Sequence, residues 1–189
     1  MSFDRPAKHN IPVSPWIARF APLISPGGPV LDVAAGHGRH ARYFAARGHP
    51  VLAADIDASA LRELEGVEVL EADLEGAESW PLGDRRFAGI VVTNYLHRPL
   101  FARLASALAS DGVLIWETFG AGNERFGRPR NPDFLLAPGE MLEAFAGDLQ
   151  IVAYEHGIER HPRTAVRQRI CACRRTAPQP LSPEDGAPD

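Results

Sequence analysis

The sequence contains almost no lysine. Lys8 is the only one, so arginine supplies nearly all of the positive charge. The 24 acidic residues outnumber the 20 basic ones, and the net charge is −4. Domains that bind nucleic acids are usually clearly basic. The composition therefore argues against a general nucleic-acid-binding protein.

Long apolar runs are also missing. No stretch approaches the roughly 18 apolar residues that a membrane helix needs, and the first twenty residues lack the apolar segment of a secretory signal peptide. The apolar fraction of 45% and the charged fraction of 23% are ordinary for a globular protein. We expect a cytoplasmic protein without membrane association, long enough for one domain.

Cysteine is scarce, and its spacing does not suggest a metal site. Cys171 and Cys173 stand one residue apart, whereas zinc sites usually have two residues between paired cysteines and a second pair elsewhere. His37, His40 and His97 are the other candidate ligands, but no carboxylate is placed by spacing to complete a site. We predict two reduced, half-buried cysteines that point to the same face of one strand, and no metal.

Short apolar runs alternate with helical patterns along most of the chain. After a helix that begins at Ser14 and Pro15, strands are predicted at 30–34, 51–54, 67–70, 87–93 and 113–118, with helices at 38–47, 58–65 and 99–109 between them. A glycine- and proline-rich loop covers 120–137, a helix runs from Pro138 to about Phe145, and two last strands are predicted at 149–155 and 164–173. The alternation predicts an α/β fold with a doubly wound, mostly parallel sheet between two helical layers.

The domain division follows from the same pattern. We expect an N-terminal arm at 1–13, a single domain at 14–175 and a disordered tail at 176–189, where proline and acidic residues prevail.

A glycine loop follows the first strand. Gly36 and Gly38 lie between this strand and a helix, where the backbone can approach a ligand closely. Ligands of such sheets bind beyond the carboxyl ends of the strands. Asp55 ends the second strand, where a carboxylate can accept hydrogen bonds from ribose hydroxyls, and Asp73 follows the third, beside the expected place of an adenine.

These segments resemble one known family. The runs VLDVAAGHGRH (30–40), VLAADID (51–57) and LEADL (70–74) are similar, in order, to motifs of the class I S-adenosylmethionine-dependent methyltransferases, over about residues 28–175. The resemblance implies a seven-stranded, Rossmann-like sheet whose last strand is antiparallel. It implies S-adenosylmethionine as cofactor, bound by Asp32, Ala34, Gly36, Gly38, Asp55, Ile56, Asp73, Leu74 and Asn94.

Two positions depart from the family's glycine loop. The first glycine is replaced by Ala34, which fits if its φ is negative, and the third by His40, which we expect to narrow the methionine end of the site. The run from Gly36 to Ala41 also fits the Gly-x-Gly-x-x-Ala form of a dinucleotide-binding loop. An NAD-dependent oxidoreductase is therefore the alternative, although the chain leaves little room for a second domain.

The residues after the fourth and fifth strands are the candidates for the acceptor side. By resemblance, Tyr95 and His97 are candidate catalytic bases, and the predicted acceptor-binding residues are Arg98, Glu117, Phe119, Arg125 and Arg128. Arg160, His161 and Arg163 add positive charge near the last hairpin. Together with NYLHRPLF (94–101), this region is similar to small bacterial methyltransferases near the tellurite-resistance type.

The sequence thus predicts methyl transfer by in-line displacement to a small-molecule acceptor. It leaves an RNA or protein acceptor open, and it does not indicate the oligomeric state or the accepting atom.

Overall fold

The computed structural model of the chain describes residues 11–76 and 80–174. The predicted N-terminal arm and C-terminal tail lie almost entirely outside these residues. Among the described residues, no helix has the length and apolar character needed to cross a membrane.

Seven strands form one sheet. They are β1 (Val30–Val33), β2 (Val51–Asp55), β3 (Val67–Glu71), β4 (Phe87–Thr93), β5 (Leu108–Phe119), β6 (Gln150–Glu159) and β7 (Ala165–Cys173). Their order is β3-β2-β1-β4-β5-β7-β6. Every pairing from β3 to β5 is parallel, and β7 is antiparallel to both neighbours. The predicted seven-stranded sheet with an antiparallel last strand is confirmed.

Helices cover both faces. They are α1 (Pro15–Phe20), α2 (Arg39–Ala45), α3 (Leu100–Ala107) and α4 (Glu140–Phe145), with short 3₁₀ turns at Ala21–Leu23, Leu61–Glu63, Asn123–Arg125 and Pro132–Phe134. Because side chains alternate along a strand, Val30 packs with α1 and α2, whereas Leu31 packs with α3 and α4. The three-layer arrangement follows from this alternation.

The start of α1 is fixed by a cap that the sequence predicts. The Ser14 hydroxyl accepts hydrogen bonds from the amides of Trp16 and Ile17, and Pro15 occupies the first helical position. Trp16, Ile17 and Phe20 are buried against the sheet. This short helix is therefore held mainly by packing.

The predicted helix at 58–65 is wrong, because the structure has only a 3₁₀ turn at Leu61–Glu63. Leu61 is the one large side chain of this segment that is fully buried, so a longer helix would gain little from packing. The side chain of Asp57 accepts from the Ser59 amide, a local turn that competes with helix formation.

The predicted boundary between α3 and β5 is also wrong. Instead of leaving a gap between a helix at 99–109 and a strand at 113–118, the chain passes from Ala107 directly into β5 at Leu108, which pairs with Phe87. A register shift between Phe87 and Gly89 accommodates the extra residues. Gly112 is needed there, because an added Cβ would lie 2.8 Å from the Phe87 carbonyl oxygen.

Cys171 and Cys173 lie on one face of β7, as predicted, but both are buried rather than half-buried, and they form no disulfide. Burial raises the pKa of the Cys171 thiol. The thiolate is the reactive form of cysteine, so Cys171 is a packing residue.

Candidate active site

The carboxyl ends of β1 to β4 open on one cavity of about 430 Å³, called here the cofactor cavity. Ala34 follows β1, Asp55 and Ile56 close β2, Ala72, Asp73, Leu74 and Glu75 follow β3, and Tyr95 follows β4. The structure therefore brings together five of the nine residues predicted for cofactor binding: Ala34, Asp55, Ile56, Asp73 and Leu74.

Asp55 joins the glycine loop to the end of β2. Its Oδ2 accepts a hydrogen bond from the Gly36 amide at 2.7 Å, and its Oδ1 accepts one from the Asp57 amide at 3.0 Å. A carboxylate has about four acceptor positions, so Asp55 keeps acceptor capacity toward the cavity. The side chain of Ile56, 68% exposed beside it, offers an apolar surface at the rim.

The charge of this cavity is of one sign. Asp55, Asp73 and Glu75 line it, and no basic side chain of the described residues does. Carboxylates accept hydrogen bonds from hydroxyl and amino groups, and they repel phosphate. The cavity therefore fits an adenosyl group that carries a cationic sulfonium.

Asp32 does not line the cavity. It is buried, and its Oδ2 accepts a hydrogen bond from the Ala41 amide at 2.9 Å in the first turn of α2. Burial raises the pKa of Asp32 to about 7, although the Ala41 hydrogen bond and Arg39 partly oppose the shift. Asp32 thus anchors the start of the helix that follows the glycine loop, rather than contacting a ligand in the cavity.

Gly38 also has a packing role. Its φ is +68°, and an added Cβ would lie 2.3 Å from Leu64 Cδ1 and 2.9 Å from Leu61 Cδ2. Gly36 has φ +56° with open space at the Cβ position, so only Gly36 leaves room for a ligand beside the loop.

The expectation that Ala34 has a negative φ is wrong, because its φ is +51°. A residue with a Cβ is strained in this left-handed region by about 1–2 kcal/mol. The strain lies in a residue that lines the cofactor cavity.

We expect Ala34→Gly to stabilise the protein by about 0.5–1 kcal/mol, since relief of this strain exceeds the added flexibility of the unfolded chain. Urea unfolding checks this value. Ala46→Gly is the matched control, because Ala46 is exposed with φ −63° and glycine there should destabilise by up to about 1 kcal/mol. Equal destabilisation by Ala34→Gly and Ala46→Gly would contradict a strained backbone at Ala34.

His40 does not narrow the cavity, contrary to expectation. It is buried on α2, where its Nε2 accepts from the Ser14 amide at 3.3 Å and its Nδ1 lies 3.4 Å from Thr93 Oγ1. Burial lowers the pKa of His40 to about 3, with a smaller contribution from Arg39. The ring is neutral and links α1 to the end of β4. In the described segments, no three histidine, cysteine or acidic side chains could share a metal ion.

Tyr95 and His97, the two predicted catalytic residues, meet at Glu75. Burial and the neighbouring carboxylate of Glu75, to which the phenol is hydrogen-bonded, raise the pKa of Tyr95. His97 Nδ1 lies 3.9 Å from Glu75 Oε2. The raised pKa favours the protonated phenol at neutral pH.

The predicted acceptor residues divide into two sets. Phe119 and Arg128 line a second cavity of about 480 Å³, called here the basic cavity, at the carboxyl end of β5. Arg98, Glu117 and Arg125 do not line it.

Internal bonds occupy these three side chains. The Arg98 guanidinium binds the Glu140 carboxylate, with Nε 2.5 Å from Oε1, and it donates to the carbonyls of Asp133 and Leu135. Glu117 is buried and accepts from Arg169, and Arg125 donates to the Gly122 carbonyl. Arg98 thus fixes the long loop to the start of α3.

Sequence reasoning missed Arg167. It pairs with Phe119 in the antiparallel register of β5 and β7, its guanidinium lies 4.0 Å above the Phe119 ring, and it donates to Asn94 Oδ1. Asn94, which has φ +56°, is thus bound from the β7 side and does not line the cofactor cavity. Only the register of an antiparallel pair, which the sequence does not state, could have indicated this contact.

Comparison with known proteins agrees with this geometry. Residues 30–112 match the family model described as a methyltransferase domain. The comparison with curated proteins found no match.

Solved structures show the same fold at low identity. TehB from Haemophilus influenzae is 17% identical with a TM-score of 0.68, over 82% of this chain and 60% of TehB. The 1,6-didemethyltoxoflavin-N1-methyltransferase of Burkholderia thailandensis, solved with its substrate and S-adenosylhomocysteine, is 21% identical with a TM-score of 0.59, over 82% of this chain and 74% of that one. A TehB-like S-adenosylmethionine-dependent methyltransferase from Corynebacterium glutamicum is 21% identical with a TM-score of 0.57, over 77% of this chain and 79% of that one.

Residues 30–112 thus match a methyltransferase domain, and the chain shares its fold with solved methyltransferases, among them one that is S-adenosylmethionine-dependent. The similarity to TehB and to the TehB-like protein confirms the predicted resemblance to this type of methyltransferase. The Burkholderia enzyme binds S-adenosylhomocysteine in its structure, and the Corynebacterium protein is S-adenosylmethionine-dependent, which agrees with the predicted cofactor. The chain spans only three fifths of the length of TehB.

Proposed function

We propose that this chain binds S-adenosylmethionine in the cofactor cavity and transfers its methyl group to a small-molecule acceptor. The observation that carries the proposal is the set of three carboxylates, Asp55, Asp73 and Glu75, in a cavity without a basic side chain among the described residues. When bound, the cofactor supplies an electrophilic methyl group on a positively charged sulfur. The NAD-dependent alternative would place a pyrophosphate at the glycine loop and the start of α2, so NADH binding is its distinguishing result.

Each lining group has a part in binding. Asp55 would accept from the ribose hydroxyls, Asp73 would lie at the edge of the adenine, and Ile56 would cover one face of the ring. Ala34 and Ala72 have small side chains, so they leave the floor of the cavity open.

The residues at the end of β4 would orient the acceptor. Positioning of two reactants can supply about 7–11 kcal/mol of a reaction barrier, so a strong base is needed only for a poor nucleophile. His97, held beside Glu75, is the candidate that could take a proton. Tyr95, kept protonated by burial and by Glu75, would donate a hydrogen bond instead.

Radiolabelled methyl donor and a size-fractionated cell extract test the acceptor class. We expect label in the small-molecule fraction with the parent protein and none with Asp55→Ala. Label confined to RNA or to protein would overturn the small-molecule acceptor and favour one of these macromolecules. Absence of label from every fraction would contradict methyl transfer itself.

A further inference from the structure

The basic cavity has a charge opposite to that of the cofactor cavity. Three arginines line it, Arg128, Arg163 and Arg167, and Glu159 is its only carboxylate among the described residues. Glu159 also binds Arg169, so its charge is shared with an arginine outside the cavity. The lining therefore carries an excess of two positive charges.

Two of these arginines have no partner of opposite charge among the described residues. In the parts of the chain that the structure describes, no carboxylate forms an ion pair with Arg128 or Arg163, and both residues are exposed. Guanidinium groups bind carboxylates through two parallel hydrogen bonds. The cavity thus presents unused donors for an anion.

Arg167 forms the inner wall of the basic cavity. Its Nε is buried without a hydrogen bond and lies 3.4 Å from Glu159 Oε2. Burial lowers the pKa of Arg167. Arg167 is therefore held against Glu159 at the inner wall of the cavity.

Aromatic rings supply the other surfaces. Phe119 lies under the Arg167 guanidinium, and Phe126, which also lines the cavity, is 42% exposed. A large exposed aromatic ring beside unpaired arginines offers a flat apolar contact and a charged one to the same ligand. A planar anion fits both surfaces.

One hydrogen bond connects the lining of the basic cavity with the residue that precedes Tyr95. Arg167 donates to Asn94, the residue before Tyr95, which lines the cofactor cavity. The cofactor cavity lies at the carboxyl ends of β1 to β4. The basic cavity lies at the carboxyl end of β5, where the first residues of the antiparallel strand β7 pair with it. Both cavities are therefore on the same side of the sheet, where β4 and β5 end. A ligand in the basic cavity would therefore lie next to the cofactor.

We propose that the basic cavity is the acceptor subsite and that it binds small planar carboxylates, an inference that rests on the proposed methyl transfer. Arg128 and Arg163 bind the carboxylate, Phe119 and Phe126 contact the ring, and Arg167 positions the ligand relative to Asn94. The volume of about 480 Å³ accommodates a ligand of this size.

Benzoate and its neutral analogue benzamide test the subsite when each is titrated into the protein saturated with S-adenosylhomocysteine and followed by ligand-observed NMR. We expect the parent to bind benzoate at least about 10-fold more tightly than benzamide, since a charged hydrogen-bonded pair contributes about 1.5–3 kcal/mol. The double variant Arg128→Gln/Arg163→Gln should lose this preference. Its affinity for S-adenosylhomocysteine should not change.

Arg86→Gln is the matched control, because Arg86 is exposed before β4 at the opposite edge of the sheet. It should keep the preference for benzoate. A parent that binds the two probes equally or not at all, or a double variant that still prefers benzoate, would overturn the acceptor subsite. Failure of the proposed function would appear separately, as a parent that does not bind S-adenosylhomocysteine.

Discussion

In the Asp32→Asn variant, the free energy of unfolding should depend on pH between about pH 4 and 6.5, where that of the parent changes little. The free energy of unfolding of this variant should fall by about 1.4 kcal/mol for each pH unit between about 6.5 and 4. The reason is His40, whose pKa burial lowers to about 3. The unfolded chain takes up a proton at His40 below about pH 6.5, whereas the folded protein does not, so acid favours unfolding.

In the parent, Asp32 offsets this effect. Burial raises its pKa to about 7, so the folded protein holds a proton that the unfolded chain releases above about pH 4. The contribution of Asp32 to stability is therefore complete at low pH and decreases as the pH rises to about 7. The two slopes are opposite between about pH 4 and 6.5, and the parent should be nearly insensitive to pH there.

His40→Gln should show the reverse trend. With His40 removed, stability should rise by about 1.4 kcal/mol for each unit of acidification from about pH 7 to 4. Urea unfolding at pH 4.5, 5.5 and 6.5 measures both slopes. The double variant is the control and should regain the flat profile of the parent. Flat profiles for both single variants would show that neither group is held in the buried state seen here.

Asp55→Ala should weaken binding of S-adenosylhomocysteine by at least about 100-fold. The carboxylate would accept hydrogen bonds from two ribose hydroxyls, and bonds to a charged acceptor contribute about 1.5–3 kcal/mol each. Loss of Asp55 also removes the acceptor that holds the Gly36 amide. Calorimetric titration measures the change.

Asp84→Asn is the control, since Asp84 is exposed before β4 at the opposite edge of the sheet. This variant should bind S-adenosylhomocysteine with the same affinity as the parent. Asp55→Asn separates the two roles of the carboxylate, because the amide oxygen can still accept from Gly36 while the charge is lost. An Asp55→Ala variant that binds as tightly as the parent would contradict the assignment of this residue.

The sequence predicts the cofactor cavity well, because the position of a residue at a strand end fixes its place in the fold. Asp55 and Asp73 end or follow parallel strands, so the sheet brings both to the same edge. The carboxylates were predicted in this way, and the family's motif order added Ile56 and Leu74. Asp32 differs because it lies one residue inside its strand, where burial turns the side chain toward α2.

The acceptor side was predicted less well, because it depends on long-range pairing. Arg98 follows β4 and looks available in the sequence, yet Glu140 and two carbonyls of the long loop bind its guanidinium. Arg167 has no local motif, and its place beside Phe119 follows only from the antiparallel register of β7. Such contacts between residues far apart in the chain have no signature in local composition.

Titration of the parent with S-adenosylhomocysteine, followed through its backbone amide NMR signals, tests the central claim most directly. The account predicts saturable binding, with the largest shifts at Gly36, Asp57 and Glu75, whose amides donate to the carboxylates of the cofactor cavity. NADH should produce no saturable shifts there. Binding of NADH but not of S-adenosylhomocysteine, or shifts confined to the basic cavity, would contradict it.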